Sequence, residues 1–135
     1  MQTNLYGTFY FSKAVLPTMK KQKFGRIINI SSYTAFTGIA GAANYVASKA
    51  GIIGFSRSLS KEVAKHNITV NTIAPGYFDT GMFYDIPKNI RKRIVEEIPA
   101  KRLGKPEEIS ELIKILISAD YLTGQVFTLD GGYSA

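Results

Sequence analysis

Two short runs of apolar, mostly β-branched residues constrain the fold of this chain more than any other feature. Residues 25–32 and 68–74 have the composition of β-strands, and between them a long helical pattern extends from about residue 42 to 66. A strand, a helix and a second strand in this order predict two parallel strands joined by a crossover helix. Both strands then end at the same rim of the sheet, where ligands of open α/β sheets bind.

The rest of the chain continues the alternation of helices and strands. Helical spacing of apolar residues predicts helices over about 5–21, 89–97 and 106–118, and a last strand is predicted over 125–129. Pro17 should bend or tighten the final turn of the first helix. Residues 76–87 show no regular pattern, and there is no repeat, low-complexity tract or linker. The prediction is one α/β segment built on a parallel sheet.

Tyr45 and Lys49 are the first candidates for chemistry. Residues four apart on a helix share a face, so the phenol and the ammonium can point into one site. A nearby positive charge favours the phenolate, which makes the hydroxyl a usable proton donor or acceptor. Taken alone, the same spacing also fits a tyrosine and a lysine on an ordinary amphipathic helix. Ser32 strengthens the catalytic interpretation because it ends the first strand, at the rim where a ligand is expected.

Composition excludes several other kinds of site. The chain has no cysteine and one histidine, so a disulfide framework, a thiolate nucleophile and a histidine-based metal site or triad are not expected. No apolar run reaches the length of a membrane span, and the first residues lack the pattern of a secretory signal. We therefore expect a cytoplasmic protein with no metal, whose chemistry depends on Ser, Tyr, Lys and Asn.

Several motifs, in order and spacing, resemble those of the classical short-chain dehydrogenases/reductases. Besides Ser32 at its strand end, the matching segments are 4–9 (NLYGTF), 44–51 (NYVASKAG), 71–76 (NTIAPG), 123–125 (TGQ) and 130–132 (DGG). Segment 98–109 (IPAKRLGKPEEI) is similar to the one that leads into the last large helix of 3-oxoacyl-ACP and acetoacetyl-CoA reductases, although related segments occur in other reductases. The resemblance covers essentially the whole chain.

The resemblance implies four catalytic residues. Tyr45 would protonate the carbonyl oxygen as hydride arrives, and Lys49 would hydrogen-bond the nicotinamide ribose and tune the tyrosine. Ser32 would hold the substrate carbonyl. Asn4 would position a water that links the lysine to solvent, although asparagine near a helix start is also a common N-terminal cap.

The same resemblance implies contacts to the cofactor and to the substrate. Pro75 and Gly76 form a turn that would bring the backbone close to the nicotinamide, Phe78 would offer its main-chain groups to the carboxamide, and Thr80 would offer its hydroxyl. Tyr77 matches an aromatic residue that lines the acyl pocket of acetoacetyl-CoA reductases. Phe78 departs from the family, where an aliphatic residue is commoner. Together with Tyr45 and Lys49, these residues would hold NADP(H), which we expect rather than NAD(H).

The length of the chain leaves two readings open. The family's catalytic domain is longer, and these 135 residues contain no Gly-x-x-x-Gly-x-Gly phosphate loop and no residue that chooses between NAD and NADP. We therefore expect residues 1–135 to be the C-terminal half of a Rossmann-type doubly wound parallel sheet, without the N-terminal portion that binds the cofactor phosphates. The first reading is an oxidoreductase that reduces a 3-oxoacyl thioester. The second is a truncated, inactive remnant that acts at most in association.

The net charge of +7 bears on the partners. The lysines and arginines are dispersed and no nucleic-acid recognition motif accompanies them, so we expect no nucleic acid and no membrane as partner. An anionic acyl carrier, either coenzyme A or acyl carrier protein, fits the resemblance better. The two long helices are apolar around more of their circumference than one buried stripe requires. The pattern therefore predicts a homo-oligomer. The resemblance implies the same, since full-length members of the family form tetramers.

Overall fold

A computed structural model describes residues 1–135 and contains a three-stranded parallel sheet in the order β1-β2-β3. The strands are β1 (Gly25–Ile30), β2 (Ile68–Pro75) and β3 (Val126–Leu129). The helices are α1 (Gly7–Gln22), α2 (Thr34–Thr37), α3 (Ala43–Val63), α4 (Gly81–Tyr84), α5 (Lys88–Glu97) and α6 (Pro106–Ser118). The predicted parallel α/β fold is confirmed.

The central strand β2 sets the register of the sheet. Gly25 of β1 lies opposite Ile68, and Thr72 lies opposite Val126 of β3. Almost the whole of β2 is buried, because helices cover both faces of the sheet. Its β-branched side chains suit this environment, since they pack well on a pleated surface.

The two faces of the sheet are covered by different helices. On one face Ile27 of β1 packs with Leu59 and Val63 of α3, and Leu16 and Met19 of α1 lie against the same cluster. On the other face Arg26 of β1 donates a hydrogen bond from Nε to the Ile117 carbonyl of α6, at 3.0 Å. Arg26 also pairs with Asp120 just beyond that helix. Successive residues of a strand point to opposite faces, so α1 and α3 form one layer and α6 the other.

Strand β1 ends at Ile30 rather than at residue 32, and three further elements differ from the sequence expectation. Residues 2–6 form one wide helical turn before α1, so the first helical segment begins earlier than residue 5. The stretch 76–87, predicted to be irregular, contains the single turn α4, and α2 is a second unpredicted turn. Helices of four residues show too little periodicity to detect in a sequence, and tertiary packing forms them here. Phe83 of α4, for example, is buried in a cluster with Ile94 and Ile98.

Asn71 joins the middle of β2 to the loop before β3. Its side chain is buried, donates from Nδ2 to the Leu122 carbonyl at 2.7 Å, and accepts at Oδ1 from the Gln125 amide at 3.1 Å. A buried amide that serves both as donor and as acceptor fixes the loop in one position. The β3 strand is short, so this anchor aligns its carboxyl end with that of β2.

Several surfaces remain open. The outer edges of β1 and β3 have no neighbouring strand in the sheet. Large apolar side chains are exposed on α1, including Tyr10 and Phe11, and a groove between α1 and α3 is lined by Phe9, Leu16 and Phe55. None of the helices combines the length and the hydrophobicity needed to cross a lipid bilayer.

Replacing Asn71 by Ala should destabilise the protein by about 2–3 kcal/mol, because both loop groups lose their partner in a buried site. Urea unfolding followed by circular dichroism measures the loss. Asn89→Ala, at an exposed position of α5, is the matched control and should change the free energy of unfolding by less than about 0.5 kcal/mol. Equal small effects of both substitutions would show that Asn71 does not anchor the loop.

Candidate active site

A cleft of about 350 Å³ opens where β1 and β2 end. Every site residue predicted from the sequence lines it, apart from Asn4. These residues are Ser32, Tyr45, Lys49, Pro75, Gly76, Tyr77, Phe78 and Thr80. They come from three parts of the chain: the segment after β1, the first two turns of α3, and the segment after β2. The carboxyl edge of a parallel sheet is where such segments converge.

Tyr45 and Lys49 project from neighbouring turns of α3 into this cleft. The Lys49 Nζ atom lies 5.7 Å from the centroid of the Tyr45 ring and donates a hydrogen bond to the Ile30 carbonyl at 3.0 Å. Lys49 is half-buried, and burial lowers its pKa below the ordinary value. The ammonium has three protons and the Ile30 carbonyl uses one, so Lys49 can donate to a ligand as well.

Two serines follow β1 and have different partners. The Ser31 hydroxyl donates to the Lys49 carbonyl at 2.8 Å, which holds α3 against the end of the strand. The buried Ser32 hydroxyl accepts from the Thr34 hydroxyl at 2.9 Å and from the Thr34 amide at 3.3 Å. A hydroxyl carries one proton and two lone pairs, so the Ser32 oxygen has its acceptors engaged while its proton can be donated into the cleft. A carbonyl oxygen is a suitable acceptor for it.

Asn4 does not line the cleft and instead contacts α3. Its Nδ2 atom is 3.3 Å from the hydroxyl of Ser48, a buried neighbour of Lys49 in sequence, and the Ser48 hydroxyl donates to the Tyr45 carbonyl at 2.6 Å. The close contact depends on Gly51, where an added Cβ would come within 2.9 Å of the Leu5 side chain. Asn4 therefore supports the turn of α3 that carries Tyr45, and it forms no N-terminal side-chain cap.

The segment after β2 closes the other side of the cleft. At Gly76 an added Cβ would lie 2.6 Å from Cβ of Asp130, so glycine is required there by the approach of the Asp130 loop. The ring of Phe78 fills the space beside Gly104, where a Cβ would come within 2.7 Å of the ring. The departure at Phe78 is thus accommodated by a glycine on the adjacent segment.

Donors of this segment face the cleft without a protein partner. The Phe78 carbonyl accepts from the Thr80 amide at 2.9 Å, whereas the Phe78 amide and the Thr80 hydroxyl make no hydrogen bond within the chain. Together with Lys49 they form a set of donors suited to a ligand with carbonyl, amide and hydroxyl groups. This is the chemistry of the nicotinamide end of a dinucleotide, so the residues present fit that group.

Sequence reasoning missed several residues around the cleft. Met82, Phe83 and Ile86 line it from the α4 segment, for which no regular structure was predicted, and Ile109 reaches it from α6. Tyr33 lies behind it and bonds to the Tyr77 hydroxyl at 2.9 Å. Burial and this bond raise the pKa of Tyr33 above its ordinary range. No local pattern marks these residues, because their roles depend on contacts distant in sequence.

No group of three His, Cys, Asp or Glu side chains is arranged to ligate a metal ion. The polar groups of the cleft are hydroxyls, the phenols of Tyr45 and Tyr77, an ammonium and backbone amides. These groups bind and orient by hydrogen bonding, and a phenol can in addition exchange a proton with a bound oxygen.

Comparison with known proteins gives a consistent result. The model of the family described as Enoyl-(Acyl carrier protein) reductase matches residues 1–134. The chain is 44% identical over 134 residues to 3-oxoacyl-(acyl-carrier-protein) reductase FabG of Aquifex aeolicus, covering 98% of this chain and 54% of the relative. The corresponding reductase of Haemophilus influenzae is 46% identical, with 98% and 55% covered. The chain thus spans about half the length of the curated relatives that it matches.

A solved structure agrees with the fold. The crystal structure of a candidate short-chain alcohol dehydrogenase from Sinorhizobium meliloti 1021 superposes with a TM-score of 0.90 at 41% sequence identity, covering 96% of this chain and 53% of that one. The family match, the relatives and the shared fold establish that the chain belongs to the short-chain dehydrogenase/reductase family.

Proposed function

We propose that residues 1–135 form the catalytic portion of an enzyme that reduces a 3-oxoacyl thioester to the 3-hydroxyacyl thioester with a nicotinamide cofactor. The observation that carries this proposal is the convergence of a free serine proton, a phenol and a half-buried ammonium on one cleft. Relatives at 44–46% identity are named as 3-oxoacyl-(acyl-carrier-protein) reductases, which supports the substrate class.

Ser32 and Tyr45 are proposed to bind the oxygen of the ketone. Ser32 donates its proton to the carbonyl oxygen, which holds the substrate and polarises the carbonyl group. Tyr45 then gives its phenolic proton to the same oxygen as negative charge develops there. The cofactor supplies the hydride to the carbonyl carbon. The product is the neutral hydroxyl compound, and Tyr45 must regain a proton before the next turnover.

Lys49 is proposed to serve both the cofactor and Tyr45. Its position 5.7 Å from the centre of the phenol ring lets the ammonium charge stabilise the phenolate that remains after proton transfer. The spare protons of its ammonium can bond the hydroxyls of the nicotinamide ribose. Asn4 enters this proposal indirectly, because its contact to Ser48 holds the turn between Tyr45 and Lys49.

The carboxamide of the nicotinamide is proposed to bond the Phe78 amide and the Thr80 hydroxyl, beside the turn at Pro75 and Gly76. The diphosphate would need a glycine-rich loop at a helix N-terminus, which these residues do not include. We propose that a preceding portion of the protein supplies it, and that the cofactor is NADP(H). Coenzyme A or acyl carrier protein would present the thioester, and dispersed lysines and arginines favour such an anionic carrier.

A second candidate function is association without turnover. It is favoured by the free edge of β1 and by the exposed apolar side chains of α1, which are surfaces that another chain or chain segment can cover. In this reading residues 1–135 act at most as an oligomerisation fragment. The two candidates differ in whether a cofactor binds.

Tyr45→Phe in the full-length protein should lower turnover of acetoacetyl-CoA by roughly 10²–10⁴-fold, because the ring is kept and the proton donor is lost. Circular dichroism should be unchanged. Steady-state oxidation of NADPH measures the effect. A Phe variant that works at nearly the normal rate would remove Tyr45 from the mechanism.

Protein 1–135 alone should show no saturable NADPH binding at micromolar concentrations, because the residues that fit the cofactor contact its nicotinamide end only. Nicotinamide fluorescence during titration tests this. Micromolar binding with thioester-dependent oxidation would show instead that the 135 residues suffice and would exclude the association-only reading.

The affinity of the full-length protein for NADPH should fall as the pH is raised, starting below the ordinary lysine value of 10.5. Burial lowers the pKa of Lys49, so the side chain is charged below that lowered pKa and loses its charge above it. Lys49→Arg should remove this fall, since arginine stays charged throughout the range. Identical pH profiles for the two proteins would show that Lys49 does not hold the cofactor.

The protein is proposed to be a homo-oligomer, tetrameric when full length, that associates through the groove between α1 and α3. Phe9 and Phe55 meet there edge to face at 5.8 Å and remain partly exposed. Phe9→Glu should shift the protein to smaller species in light scattering, because a charge would be buried at the contact. Lys21→Glu, at an exposed position of the same helix, is the control and should leave the mass unchanged. A compact monomer over a wide concentration range would contradict the proposal.

A further inference from the structure

Three tyrosines form a cluster at the back of the cleft: Tyr33, Tyr77 and Tyr133. The centroids of Tyr33 and Tyr77 are 5.5 Å apart, and the Tyr133 ring meets both edge to face, at 5.2 and 5.6 Å. Such arrangements add attraction between rings beyond the burial of their area. Only Tyr77 lines the cleft itself. The other two pack behind it.

The position of Tyr33 is fixed by its backbone. Its amide donates to the Pro75 carbonyl at 3.0 Å, so the residue is tied to the end of β2. Its side chain is 7% exposed, and its hydroxyl lies 2.9 Å from the hydroxyl of Tyr77. The contact therefore joins the segment after β1 to the segment after β2 at a buried point.

The direction of this hydrogen bond follows from burial. If Tyr77 donated to Tyr33, the Tyr33 proton would be left in a buried place with no acceptor, which is costly. If Tyr33 donates, its proton is satisfied and the Tyr77 proton is left for the open side, where a ligand or solvent accepts it. Tyr77 makes no other side-chain hydrogen bond within the chain, in agreement with the second arrangement.

We infer that Tyr33 is a positioning residue that turns the hydroxyl of Tyr77 into a hydrogen-bond donor aimed at the substrate. This rests on the proposed function. A 3-oxoacyl thioester carries two carbonyl groups, and Ser32 and Tyr45 serve the one that is reduced. The thioester carbonyl is the second acceptor, and it is the group that Tyr77 binds.

A hydroxyl that accepts one hydrogen bond becomes a stronger donor in the next, so the contact from Tyr33 both orients the Tyr77 hydroxyl and strengthens it as a donor.

The ring of Tyr133 completes the cluster. Tyr133 donates from its hydroxyl to Glu97 at 3.1 Å, directed away from the other two hydroxyls. Its ring restrains Tyr77 by packing, whereas its hydroxyl takes no part in the contact to the substrate.

The consequence for selectivity is specific. A substrate with a second carbonyl gains a hydrogen bond from Tyr77, and a simple ketone of similar size does not. Tyr33 acts on this preference through the Tyr77 hydroxyl alone. The effects of Tyr33→Phe and Tyr77→Phe on KM should therefore not be additive.

A double-substitution cycle in the full-length protein tests this, with acetoacetyl-CoA and an aliphatic methyl ketone as substrates. Tyr33→Phe should raise KM for acetoacetyl-CoA about three- to tenfold, the range expected for one hydrogen bond, and leave kcat within about twofold. Tyr77→Phe should raise KM at least as much. The double variant should equal Tyr77→Phe, and neither substitution should change KM for the ketone.

Tyr133→Phe is the matched control, because it removes a hydroxyl from the same cluster that is bonded to Glu97, and it should leave KM for both substrates unchanged. A KM effect of Tyr33→Phe that persists in the Tyr77→Phe background, or that is equal for the thioester and the ketone, would overturn the inference while the proposed function stands. A wild-type protein that reduces neither substrate would overturn both.

Discussion

The burial of β2 is the constraint on which the rest of the structure depends. Val70, Thr72, Ile73 and Ala74 have no exposed surface, so the strand needs hydrogen-bonding neighbours on both edges and helices on both faces. The strands β1 and β3 provide the edges. The layers of α1 with α3 and of α6 provide the faces. The polar side chain of Asn71 is compatible with this strand only because both of its functional groups are bonded to the loop before β3.

The ends of the strands determine what the cleft contains. The Ser31 amide donates a hydrogen bond to the Ile73 carbonyl at 2.8 Å, and the Gly76 amide donates to the Leu129 carbonyl at 2.9 Å. The hydrogen-bond ladder of the sheet therefore continues past the ends of β1 and β2 before the chain turns away. The side chains that come next, from Ser32 and Tyr77 onward, cannot enter the sheet and face the space above it. The side chains that line the cleft are thus placed by the same backbone pairing that stabilises the sheet.

Much of this arrangement could be predicted from the sequence. The strands and the long helix were detectable because their apolar patterns are strong, and helix α6 was predicted with the same bounds that the structure has. Tyr45 and Lys49 were predicted to share a face because that relation lies within one helix and depends on spacing alone. Ser32 was detectable because it closes the apolar pattern of the first strand, although β1 itself stops at Ile30.

The features that escaped prediction depend on contacts between distant segments. The sequence contains no sign that Tyr33 meets Tyr77, 44 positions away. Gly76 was expected beside the cofactor, and nothing in the sequence indicated that its missing side chain also makes room for Asp130. Asn4 was assigned a role by resemblance, and nothing in the sequence indicated that its side-chain amide contacts the Ser48 hydroxyl of α3. In each case the residue type could be interpreted from the sequence, but the residue that it contacts could not. That contact is fixed by the packing of the whole fold.

The rotation of α3 is the last step between fold and chemistry. An α-helix turns by about 100° per residue, so a shift of one position would carry Tyr45 and Lys49 out of the cleft. Apolar contacts alone are not directional and would tolerate such a shift. Directional contacts prevent it. The Ser31 hydroxyl donates to the Lys49 carbonyl, and the Lys49 ammonium donates to the Ile30 carbonyl. In the buried layer the side-chain Nδ2 of Asn29 in β1 donates to the hydroxyl of Ser56 at 2.8 Å. Polar side chains between α3 and the sheet thus fix the orientation of the helix, and through it the position of the Tyr45 phenol.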